Sequence, residues 1–138
     1  MAYCSRVDLV QRFGESEISD LLDRNNDSAD DDQALSATTA DADALIDGYL
    51  GSRYSTPLAT VPNAIRAISC DITRYLLWDD NAPTEVRTRY EDALARLKDY
   101  AKGFMVLPNV PPAETNPSGG IDFIADDRVF SRDSLAGF

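Results

Sequence analysis

Histidine is absent from the 138 residues. That removes the commonest general base and the commonest transition-metal ligand, so neither a Ser–His–Asp set nor a Cys–His pair can be assembled. The two cysteines, Cys4 and Cys70, are too few for a disulfide framework. Cys70 falls inside a helical pattern and is expected as a small buried apolar residue. No GxGxxG motif and no P-loop occurs. There is no signal-peptide pattern and no run of about 18 apolar residues, so a cytosolic product without a membrane span is expected. Bases are scarce: 13 Lys and Arg stand against 24 Asp and Glu, for a net charge of −11. Gripping nucleic acid through its phosphates needs clustered bases, which this chain lacks.

The acids are not spread evenly. Residues 1–54 hold 12 acids and 4 bases, residues 55–102 hold 7 of each, and residues 103–138 hold 5 acids and 2 bases. An acidic first half suits a wall that DNA slides past without sticking. The plainer reading of the composition is solubility alone. Carboxylate pairs are too abundant here to diagnose acid–base chemistry, and no enzyme is expected.

The apolar residues recur at helical spacing, which predicts an all-α fold: a compact helical bundle of three main helices with one or two short N-terminal helices. Ser5, with Asp8 three residues on, has the form of a capping box, and Gly14 closes the first short helix. A second runs from Glu15 to Leu22, its early Glu residues matching the helix dipole. The stretch DADALIDGYLGSRYSTPL, residues 41–58, organises the rest. Leu45, Ile46, Tyr49 and Leu50 gather on one face of a helix over Gln33–Gly51, while Asp41, Asp43 and Asp47 fall off that face, toward water. Gly51 is expected to take the left-handed stop. A fourth helix starts near Pro62 and buries Ile65, Ile68, Ile72, Tyr75 and Leu76. Trp78 ends it. A fifth starts at Pro83 and stops at Gly103, with Arg87–Glu91 and Asp92–Arg96 as surface pairs. Tyr49, Tyr54, Tyr75 and Tyr90 are expected at the core or its rim. Arg66 and Arg74 either pair internally or face a neighbouring subunit.

Between the second and third helices lies DRNNDSADDD, residues 23–32. Asp23, Asn25 and Asp27 fit alternate positions of a calcium loop, and Asp31 adds a further carboxylate. Ser28 stands where the turn wants glycine, and Ala34 where a bidentate glutamate should be. A weak cation site and a plain acidic loop are both compatible with this pattern; no other cofactor is expected.

The composition changes after Gly103, which divides the chain into a bundle domain, 1–103, and an extended Pro/Gly-rich tail, 104–138. Phe104–Leu107 and Ile121–Ile124 could form short β pieces. Ile121, Phe123, Val129, Phe130, Leu135 and Phe138 are apolar anchors on a segment too short to fold alone. Docking on another chain and folding back on the bundle are both open.

Taken together, AYCSRVDLVQRFGESEISDLLDR, the acidic loop, DADALIDGYLGSRYSTPLATVPNAIRAISCDITRYLLWDD and EVRTRYEDALARLKDYAKG resemble a family of small head-morphogenesis proteins from Mu-like tailed phages and prophages. The likeness covers residues 2–103 in block content and order, and VFSRDSLAGF resembles the end of some members. Asn25 and Ser28 depart from the complete DxDxDG loop of other members. The resemblance implies a head–tail connector, also called an adaptor or head-completion protein, made in the bacterial cytoplasm and housed in the virion neck. It implies a homo-oligomeric ring, usually of twelve copies, under the portal protein and against the next connector or tail terminator. DNA would pass through without specific binding. On that reading the tail anchors dock on the portal, and Asp27, Asp30, Asp31, Asp32, Asp41, Asp43 and Asp47 are candidates to face the channel. The alternative is an acidic binding module, a DNA mimic that captures a basic partner.

Overall fold

The computed structural model describes residues 2–23 and 28–113, residues 28–30 as backbone only. Among the described residues five α-helices form in order: α1 (Arg6–Phe13), α2 (Glu15–Leu22), α3 (Ser28–Leu50), α4 (Asn63–Trp78) and α5 (Thr84–Lys102). No strand occurs among the described residues; a single antiparallel bridge pairs Tyr54 with Pro112. The expected all-α bundle is the observed one.

Local chemistry fixes the helix ends. The Ser5 hydroxyl accepts from the Asp8 N–H, and Asp8 Oδ2 accepts from the Ser5 N–H at 2.9 Å, closing the capping box. Gly14, at φ 96°, turns the chain from α1 into α2, a conformation that side chains with a Cβ rarely take. Gly103 ends α5 in the left-handed region at φ 90°, and a Cβ there would collide with the Arg53 guanidinium. Pro62 and Pro83 sit at the N-caps, one residue before the helices they introduce.

Two expectations fail. The third helix begins at Ser28, not Gln33, because the run Asp30–Asp32 enters its first turns, where acids complement the dipole. Gly51 does not adopt the left-handed stop; the end of α3 closes instead through the Gly51 N–H on the Asp47 carbonyl and the Tyr54 N–H on the Leu50 carbonyl, both at 2.8 Å.

The main core lies among α3, α4 and α5. Ala42, Ile46 and Leu50 meet Ile65, Ile68 and Ile72 from α4, and Ala93, Leu97 and Tyr100 from α5. A second cluster joins Leu9, Ile18 and Leu22 of the short helices to Leu35, Cys70 and Leu77. So α4 is shared by both clusters, and α1 and α2 cover the flank that the main bundle leaves open.

Candidate functional site

No group of His, Cys, Asp or Glu among the described residues is arranged to hold a metal ion. Asp23 caps α2 and is exposed; Asn25 and Asp27 lie outside the described residues. The candidate surfaces are therefore the acidic face of α3, the arginine-lined cleft beside α1, and the end of the bundle where the chain leaves.

On α3, Asp32 and Asp41 are exposed, and Asp31 is half-buried. Asp32 accepts from the Arg6 guanidinium at 3.3 Å, an exposed contact worth little in water. The side chain of Asp30 and all of Asp27 fall outside the described residues. Asp43 and Asp47 correct the expectation of two solvated carboxylates. Both are half-buried because the N-terminal segment crosses them: the Tyr3 N–H donates to Asp43 at 3.1 Å, and the Tyr3 hydroxyl donates to Asp47. That hydroxyl also accepts from the Leu58 N–H at 2.9 Å. Burial, and next the hydrogen bond to Asp47, push Tyr3 up to about 12. Burial, reinforced by the Asp47 charge, raises Asp43 against the pull of the Tyr3 N–H. One tyrosine thus binds the chain start to α3 and to the 51–62 connection.

The second surface surrounds α4. Arg74 forms a bidentate pair with Glu17, Nε to Oε2 at 2.6 Å and Nη2 to Oε1 at 2.9 Å, and its guanidinium lies 4.3 Å from the Phe13 ring centroid. The Arg74 hydrogen bonds hold Glu17 below the usual carboxylate range. The question left open for Arg74 is answered: it pairs inside the chain. Beside it, Arg12, Phe13, Asp71, Arg89 and Arg96 line a cleft of about 430 Å³. Burial pushes Asp71 up, although Arg89 stands 3.7 Å away. The expected Arg87–Glu91 and Asp92–Arg96 pairs do not close: these side chains are exposed, and water competes for each charge. Tyr75 and Tyr90 stack at 4.0 Å, at the rim where they were expected.

The third surface is the exit end. Beyond Gly103 the chain turns back on the bundle. The Leu107 N–H donates to the Tyr54 hydroxyl at 3.1 Å, and the Ala113 N–H to the Arg53 carbonyl at 2.7 Å. Leu107 is buried in the main core, and Val110 packs against it. Residues 104–107 form no strand: the chain bends at 104–105 and continues through 106–107 without regular structure. Leu107 apart, their apolar side chains are left outside: Phe104 is 78% exposed and Val106 67%. Ser55, Pro57 and Leu58 face Asn109, Val110 and Pro112 across a groove of about 430 Å³. The expected tail anchors, Ile121, Phe123, Val129, Phe130, Leu135 and Phe138, lie outside the described residues. Sequence reasoning missed Tyr3 and Glu17 as fastening residues, and no local signal marks either one.

With this geometry in view, similarity to known proteins becomes informative. The family described as Bacteriophage Mu, Gp36 matches residues 3–125. The chain belongs to that family. The Mu-like prophage FluMu protein gp36 of Haemophilus influenzae is 30% identical over 137 residues, covering 99% of this chain and 97% of the relative. Gene product J of Escherichia phage Mu is 29% identical over 137 residues, covering 96% of each. The Gp36 likeness therefore runs through the bundle and on past the last described residue. No described helix is long and apolar enough to cross a membrane.

Proposed function

We propose that the chain is a structural, non-enzymatic part of the phage particle: a head–tail connector of the neck. Copies stand side by side in a ring beneath the portal, twelve in the arrangement the family likeness implies. The ring extends the DNA channel and offers a surface to the next connector or the tail terminator. The observation that carries this reading is the exit end. Phe104, Met105 and Val106, three consecutive apolar residues after α5, are exposed, and the sequence beyond residue 113 carries further acids and apolar residues. Consecutive exposed large apolar side chains are the mark of a surface that another chain covers. Exposed Asp32 and Asp41, with Asp27, Asp30 and Asp31, belong at the channel mouth, where like charge repels DNA phosphates. Asp43 and Asp47 serve first to hold Tyr3.

Portal binding by purified protein tests the reading. Full-length chain forms rings or binds portal assemblies. Deletion of residues 121–138 abolishes portal binding and leaves the helical circular dichroism and cooperative melting intact, since the two buried clusters lie within residues 3–107. Binding that survives the deletion would contradict the role given to the tail. A monomer that strips DNA from a basic protein would favour the acidic-mimic alternative.

A further inference from the structure

Cys4 lies in the lead-in to α1, and Cys70 lies midway along α4. Both are fully buried, both are free thiols, and both belong to the same apolar cluster. Cys4 Sγ is 3.5 Å from Thr73 Oγ1. Thr73 follows Cys70 by three residues, so the two occupy one face of α4 a turn apart. Cys4 therefore faces the turn that carries Cys70. Interaction with Cys70 draws the Cys4 thiol down to about 7, and the same interaction, with burial, pushes Cys70 up. Cys4 lies in the segment ahead of α1 and Cys70 is held within α4, which assigns Cys4 as the attacking thiol and Cys70 as the resolving one.

We propose that Cys4 and Cys70 form an oxidation site, which a small-molecule disulfide converts to an intramolecular disulfide that clamps the N-terminal segment to α4. The inference rests on the thiol geometry and not on the connector reading. With oxidised glutathione, the Cys4 thiolate attacks one sulfur. A glutathione thiolate leaves and takes up a proton. Cys70 then gives its proton to solvent and attacks the Cys4 sulfur of the mixed disulfide, releasing the second glutathione. Two protein thiols are oxidised, and one glutathione disulfide is reduced to two thiols. Reaction requires the segment ahead of α1, which carries Cys4, to open away from α4.

The test incubates the folded full-length chain with oxidised glutathione. Its mass falls by about 2 Da, the two thiol hydrogens, with no adduct retained. Digestion yields one peptide joining Cys4 to Cys70. The melting temperature rises, because the crosslink closes a long loop of the unfolded chain, and reductant reverses the rise. Cys70→Ala stops at a single glutathione on Cys4. If that variant does not fold, the wild-type peptide map decides alone. Glutathione retained on both cysteines, crosslinks between chains, or thiols that stay reduced would each overturn the proposal.

Discussion

Among α3, α4 and α5, Ile46, Leu50, Ile65, Ile68, Ile72 and Leu97 are fully buried, and apolar contact does nearly all of the joining. The N-terminal segment, residues 2–23, attaches differently. Tyr3 enters the main core, the segment's other buried side chains form the smaller cluster, and directional bonds fix it: Tyr3 to Asp43, Asp47 and Leu58, and Glu17 to Arg74. Non-directional burial tolerates small shifts, whereas a bidentate ion pair sets one orientation. The bundle thus supplies most of the stability, and the N-terminal ties choose where the short helices sit. Such a segment opens before the bundle does.

The largest effect should come from the bundle. Ile72→Ala removes a fully buried side chain that packs in the main core, and should cost about 3–4 kcal/mol in urea unfolding, with both regions lost together. A loss below about 1 kcal/mol would mean that this core is not the joint it is taken to be.

Arg74→Met should cost about 2 kcal/mol, because it leaves Glu17 without its partner in a half-buried seam. Hydrogen exchange should quicken in α2 and stay slow in α5. Equal quickening in both would erase the distinction between the regions. The pH dependence follows the sign of the shift. The folded Glu17 lies below its ordinary value, so its contribution is present above the unfolded carboxylate pKa and is lost as pH falls through the folded one. In Arg74→Met that part of the acid sensitivity should disappear.

Tyr3→Phe should cost about 1–2 kcal/mol by deleting the hydroxyl bonds to Asp47 and Leu58. Tyr3 rises from 10.0 to about 12 on folding. A raised pKa gives stability that is full below the unfolded value and lost as pH climbs through the folded one. The wild-type chain should therefore lose stability between pH 10 and about 12, and Tyr3→Phe should flatten that decline. Identical alkaline melting curves would count against the anchor. Arg87→Ala, on an exposed and unpaired side chain, should change stability by less than about 0.5 kcal/mol.

The same contrast explains what could be read before the fold was known. Ile65, Ile68 and Ile72 repeat at helical spacing, so the core face of α4 is written locally, as are the stops at Gly14 and Gly103. Tyr3 and Asp47 are 44 residues apart, and Arg74 and Glu17 are 57 apart. No periodicity connects them, and only the packed bundle brings them together. The start of α3 was misplaced because an acidic run suits a loop and a helix first turn equally. The exit end was half legible. Composition marks the break at Gly103, but it does not tell that Leu107 turns inward while Phe104 and Val106 stay outside.

The proposed connector ring is decided by electron cryomicroscopy of the neck in the assembled particle. Repeated five-helix bundles are expected between portal and tail, with Asp32 and Asp41 toward the channel and the residues beyond 113 running to the portal. A neck without this polypeptide, in particles whose heads and tails are joined and whose genomes are retained, would contradict it.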